Sequence, residues 1–263
     1  MFSFLAEIFK QLVYRPLLNL LVFLYNLPLV DFGVAIILLT ILTKIITWRL
    51  DVHAIIKQRE AQIKSTEIQE EMDEIKKKYK DDPKKQNEET IKLWREKKFN
   101  PFSSFGPLLV QMIILLALFQ LFRVGIGAEQ LKMLYHFVEN PGAIEPSFLK
   151  IPLDIFNLAK PNYILAIITG IVFFVHSKMT LVLQEKYFLK KKKKRKSGQK
   201  KNQGGMQKIM QNQLTYFMPL FIGFICLRVP AALPLYWSLS TAINILQVRL
   251  TYKKAVEKDG QKV

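Results

Sequence analysis

The chain has 263 residues, of which 50% are hydrophobic and 23% charged, with a formal net charge of +18 and a mean hydropathy of +0.14. Soluble domains reach that apolar fraction, so the arrangement decides: long apolar runs alternate with dense charge, which excludes an ordinary soluble core and points to several membrane spans. The single cysteine, Cys226, excludes an internal disulfide and reads as a small buried hydrophobe.

Residues 1–29 are apolar but interrupted by Glu7, Lys10, Arg15, Pro16 and Asn26. They predict an amphipathic helix lying in the outer membrane interface, with Pro16 as a break or restart. The alternative is a sixth span over residues 16–30. No basic n-region or A-x-A site marks a cleavable signal peptide. The first predicted span covers residues 30–49 and opens at Asp31, Phe32 and Gly33. Thr40, Thr43, Lys44 and Thr47 fall on one face of it at helical spacing. A cation inside a span is costly unless it meets a polar cavity or snorkels to the headgroups. Both readings stand for Lys44 on this helix alone.

Residues 50–99 are charged and rich in helix formers. Between Asp51 and Ser104 lie 13 Lys/Arg and 12 Asp/Glu, and Asp81, Asp82 and Pro83 signal a turn. The pattern predicts a helical hairpin, its first arm carrying Ile56, Ile63, Ile68, Met72, Ile75 and Tyr79 and its second Ile91, Leu93 and Trp94. Further spans are predicted over 105–123, 161–178, 211–228 and 233–250, giving five in an all-α polytopic protein. The third carries Thr169 and His176 on one face. Residues 124–160 form a loop with only three Lys, whereas Thr180–Gln213 holds 11 Lys/Arg and one acid, Glu185. The positive-inside rule puts the hairpin, the basic loop at 179–210 and the tail at 251–263 in the cytoplasm, with the N-terminus outside. Lys190, Lys191, Lys192, Lys193, Lys194, Arg195 and Lys196 form a like-charge block expected to stay disordered and to bind anionic lipid or nucleic-acid phosphates, or simply to fix topology.

In the last span Ser240, Asn244 and Gln247 share a face, with Thr241 beside it. Two polar stripes on separate helices favour a shared polar interior, although interhelical hydrogen bonds alone would also account for them. No phosphate-binding loop, H-E-x-x-H pair, Cys/His cluster or G-x-S-x-G elbow is present, so neither enzyme chemistry nor a cofactor nor a metal is expected.

Four segments carry a resemblance that spans most of the chain: Gly33–Leu50, Asn100–Arg123, Asn162–Met179, and Phe217, Met218 and Pro219 together with Pro230–Trp237. The run N-P-x(5)-P-L-L-x-Q-M after a charged hairpin is the most specific. The chain resembles the YidC/Oxa/Alb membrane protein insertases, in the short form without the large extracytoplasmic domain of some bacterial members. The resemblance implies a bacterial plasma membrane protein with a five-helix core. Its groove would be open to the cytoplasm and lipid but closed outside, with a positive residue, usually Arg, in the first core helix. Lys44 stands at that place, and Arg49 supplies an additional nearby charge. Thr40, Thr43, Thr47, Gln111, Ser240, Asn244 and Gln247 would line the groove with Lys44. Met112, Leu116, Phe173 and Phe174 would form a hydrophobic slide. The expected partners are nascent membrane proteins, the ribosome through rRNA phosphates, anionic lipids, the Sec translocon and the signal recognition particle pathway. A small channel or transporter, or a lateral assembly factor for membrane proteins, are the competing readings.

Overall fold

The computed structural model describes residues 2–100, 106–124, 126–149, 157–194 and 205–261, and these residues are helical or irregular, without strands. The chain begins with α1 (Phe2–Phe9), a π-helical turn at Lys10–Tyr14, and α2 (Arg15–Tyr25). Pro16 therefore does not break the helix. It has no N–H and its ring crowds the carbonyl four residues back, and the widened π turn just before it absorbs that misfit. The stretch Ala6–Tyr25 is itself long and apolar enough to cross a membrane, as are Phe32–Ser65 and Tyr163–Leu183.

Helix α3 (Phe32–Glu67) runs uninterrupted for 36 residues, about 54 Å. Its start is fixed by Asp31, whose Oδ1 accepts from the Val34 N–H at 2.8 Å. No helix breaker separates its apolar half from the charged half, so the membrane segment and the first hairpin arm are one rod. The rod ends at Ile68, and α4 (Gln69–Lys78) continues the arm. The turn leads into α5 (Pro83–Glu96), capped by Asp82, with Pro83 in the first turn, where a missing N–H costs nothing. Lys97 and Glu71 pair across the hairpin at 2.7 Å. Ile68 and Leu93 are buried, whereas Ile91 is exposed.

Helix α6 (Gly106–Val124) is followed by a loop containing the short α7 (Ala128–Leu131). Helix α8 (Tyr163–Lys194) starts at Asn162, whose Oδ1 accepts from the Leu165 N–H at 3.0 Å. It carries on into the basic block as far as Lys194, so the disorder expected there does not begin at Lys190. Lysine propagates a helix well, and cations suit a helix C-terminus. Helices α9 (Gly205–Cys226) and α10 (Ala232–Gln261) complete the chain. Helix α10 is the hub, packing on α3, α8 and α6, while α9 leans on α8. Gly170 and Gly223 face each other there: a Cβ built on Gly223 would lie 3.6 Å from the Gly170 Cα, so the two backbones approach closely.

One hydrophobic cluster joins the ends of α2, α3, α6, α8 and α10 that lie nearest the 126–149 loop. It includes Leu18, Leu21, Val22, Ala35, Ile36, Leu39, Leu118, Leu121 and Tyr236. The loop is tied onto it. Arg15 Nε and Asn19 Nδ2 donate to the Met133 carbonyl at 3.0 and 3.2 Å, and Asn26 Nδ2 donates to that of Glu139 at 2.6 Å. The Gly33 N–H donates to the Ser147 carbonyl at 3.0 Å, and the Ala231 and Ala232 N–H groups donate to the carbonyls of Lys160 and Leu158. A Cβ on Gly33 would overlap the ring of Phe148 and fall 2.9 Å from its Cβ. Gly33→Ala is accordingly expected to lower the stability of the purified protein by about 1–3 kcal/mol, read as a fall in its unfolding temperature.

At the opposite end α3, α8 and α10 continue together. Val248 and Tyr252 are buried among Ile55, Ile63, Met179 and Leu183. Between these two apolar layers the faces of α3, α8 and α10 turn polar.

Candidate functional site: a buried lysine between two polar stripes

Helices α3 and α10 both run away from the loop end, so equal distances along them bring residues to one level. Lys44 lies about 18 Å along α3 and Asn244 about 18 Å along α10. The two meet: Lys44 Nζ donates to Asn244 Oδ1 at 2.8 Å. Thr40 and Ser240 lie one level nearer the loop end, and both are buried, as is Thr241. Thr47 and Gln247 lie one level further. On α8, Thr169 donates to the Pro234 carbonyl at 3.1 Å, and His176 is half-buried two turns further along.

Lys44 is only 4% exposed. Its Nζ does not extend to the surface; it also contacts Asp51 Oδ2 at 3.0 Å, and Thr47 Oγ1 donates to the same oxygen at 3.2 Å. Asp51 escaped the sequence reading, although the signal was present. It stands seven residues from Lys44 and four from Thr47, two turns and one turn along a single helix face. Arg49 is exposed instead, because five residues turn a helix about 140° away from Lys44. It lies beside Trp48, Val52, His53 and Ile56, outside the polar interior.

Thr40 and Thr43 return their hydroxyl protons to carbonyls of their own helix, Ile36 and Leu39. That satisfies the donors and leaves their oxygens facing the interior. Gln247 differs: it is fully buried, and neither its Nε2 nor its Oε1 has a hydrogen-bond partner among the described residues. Gln111 belongs to α6, but its side chain lies outside the described residues.

The four slide candidates do not all face outward. Met112, Leu116 and Phe174 are exposed apolar residues. Phe173 is turned inward, its ring edge-on to Trp237 with centroids 6.1 Å apart. Adjacent residues on a helix point about 100° apart, so Phe173 and Phe174 cannot share a direction. The broad apolar exposure includes Ile45 and Ile46 on α3, Ile167 and Ile171 on α8, and Phe217 and Leu220 on α9; Ile46 and Leu220 are each 74% exposed. Such a surface requires lipid or protein around it. In the basic block, Lys190–Lys194 are helical, while Arg195 and Lys196 lie outside the described residues.

Apolar helices surrounding a buried, partnered lysine and two polar stripes define a polytopic α-helical membrane protein with a polar interior. The family profile described as 60Kd inner membrane protein matches residues 23–258, and the chain belongs to that family, the YidC/Oxa group of membrane proteins. It is similar to the membrane protein insertase YidC of Fusobacterium nucleatum, with 29% identity over 92% of this chain and 98% of the relative. It is also similar to the proteins of that name from Clostridium tetani (31% identity; 86% of this chain, 84% of the relative) and Treponema denticola (32%; 87% and 35%). The chain thus spans nearly all of the first relative and about a third of the last.

Proposed function

We propose that this chain is a membrane protein insertase that moves nascent membrane proteins from the cytoplasm into the bilayer. The observation that carries this reading is Lys44, buried at mid-depth between α3 and α10, below a loop end closed by the hydrophobic cluster. A pore open to both sides would need that end unpacked. A polar chamber closed at one end instead lets a hydrophilic flank enter the bilayer without full desolvation, which insertion scales put at roughly 2.5–3.5 kcal/mol per central charge. Lys44 attracts acidic residues of the flank. The exposed apolar faces, including Met112, Leu116 and Phe174, guide the hydrophobic segment into lipid.

In this reading α3, α6, α8, α9 and α10 are the five spans, and α1 and α2 lie in the outer interface, tied to the 126–149 loop through Arg15, Asn19 and Asn26. The hairpin, the basic block and the tail are cytoplasmic, as their charge favours. The hairpin receives substrate. The basic block and tail hold ribosomal RNA phosphates and anionic lipid. The Sec translocon and the signal recognition particle pathway are further partners. No nucleotide is required of this protein itself.

The test is to deplete the native insertase of a bacterial host, supply this chain, and follow protease accessibility of a single-span substrate with a short acidic outer segment. Restored exposure of that segment outside the cell is expected. No restoration by a well-expressed, correctly oriented protein would overturn the reading.

A further inference from the structure

The groove lysine arrives already paired. Its partner Asp51 lies about 10 Å further along α3, on the side away from the packed loop end. The two side chains are unequally accessible: Lys44 is 5% exposed and Asp51 is 24%. The carboxylate is therefore the member of the pair that can leave toward solvent, and the ammonium is the one that stays. Lys44 also keeps a ligand if Asp51 departs, because Asn244 Oδ1 holds Nζ independently at 2.8 Å. Thr47, one turn before Asp51, shares its Oδ2 and holds the acid in place at 3.2 Å.

We propose that Asp51 is a resident counterion, which occupies Lys44 until a carboxylate of the incoming segment displaces it, and which thereby sets the groove's preference for acidic flanks. The inference rests on the insertase reading and deepens it. A buried cation without a countercharge is costly, so the resting groove needs a carboxylate at this place. Exchange of one carboxylate for another conserves salt-bridge count, so an acidic flank gains far less than it would from a naked lysine, and the exchange is readily reversed. A neutral flank gains nothing by displacing Asp51 and passes with the pair intact. A naked lysine would select acidic segments far more strongly and would hold them longer. Asp51 thus acts through Lys44, as a positioning and selectivity residue.

The full chain, reconstituted in phosphatidylcholine nanodiscs, tests this with two peptides. Each has roughly 20 apolar residues, enough to span, preceded by either two Asp or two Asn. The measured quantity is the ratio of their affinities. Asp51→Asn is expected to raise the acidic-over-neutral ratio about tenfold, Asp51→Glu to return it to the wild-type value, and Lys44→Gln/Asp51→Asn to bring it near unity. A ratio that is unmoved or lower in Asp51→Asn overturns the proposal. The wild-type protein supplies a second readout that depends on no variant. Zero-length carbodiimide coupling is expected to link Lys44 to Asp51, and the Asp peptide, unlike the Asn peptide, to suppress that link and become attached to Lys44 itself. A Lys44–Asp51 link that persists at saturating Asp peptide also overturns it. Exchange in these assays without insertion in cells defeats the insertase reading alone, whereas insertion without exchange defeats the counterion alone.

Discussion

Lys44→Gln is expected to lower insertion of a substrate with a short acidic outer segment about tenfold relative to one with a neutral segment. Two unit charges 4 Å apart interact by about 4 kcal/mol at the effective dielectric typical near protein surfaces. Desolvation and competition from Asp51 reduce what a substrate carboxylate gains, and about 1.4 kcal/mol remaining corresponds to that tenfold change. The single variant also strands Asp51 beside a neutral amide, which by itself disturbs the site. The Lys44→Gln/Asp51→Asn variant removes both charges and leaves hydrogen-bonding groups in their places. The same loss of acidic preference is expected there, with expression and unfolding temperature close to wild type. Protease accessibility of the two substrates in depleted cells measures both. Undiminished preference for the acidic substrate in the double variant would remove Lys44 from the mechanism.

Gln247→Leu is expected to stabilise the protein while impairing it. The Gln247 amide is fully buried, and neither polar atom has a hydrogen-bond partner among the described residues. Leaving such a group unsatisfied costs about 1–3 kcal/mol, and leucine of similar volume relieves that cost. A gain of about 1–2 kcal/mol in the purified protein is therefore expected, read as a higher unfolding temperature. A polar side chain kept at a cost in stability is characteristic of a site that serves a ligand. In the proposed function that ligand is the backbone or polar flank of a passing segment, so insertion is expected to fall several-fold. A destabilised Gln247→Leu protein would show that the amide serves the fold instead.

The sequence by itself carried the helical class, the polar stripes, the turn at Asp81–Pro83 and the resemblance to the insertase family. These features are local or periodic. Apolar run length, helical spacing, Asp or Asn caps and Pro turns each act within a few residues, so they can be read without knowing what packs where. Thr40, Lys44 and Asn244 were legible for that reason, as residues sharing faces on their own helices. Other features depended on neighbours. Whether Lys44 reaches the surface or an interior depends on α10, which places Asn244 at its depth, and the acid that completes its coordination lies beyond the apolar run that holds the lysine. The direction of Phe173 was set by Trp237 on another helix, and the outward turn of Arg49 by which face of α3 the hub helix covered. The passage of α2 through Pro16 depended on a π turn, which has no signature in residue type. Periodicity fixes which residues travel together around one helix. Only tertiary packing decides which of those faces meets protein, because burial is a property of two surfaces, and each helix encodes one of them.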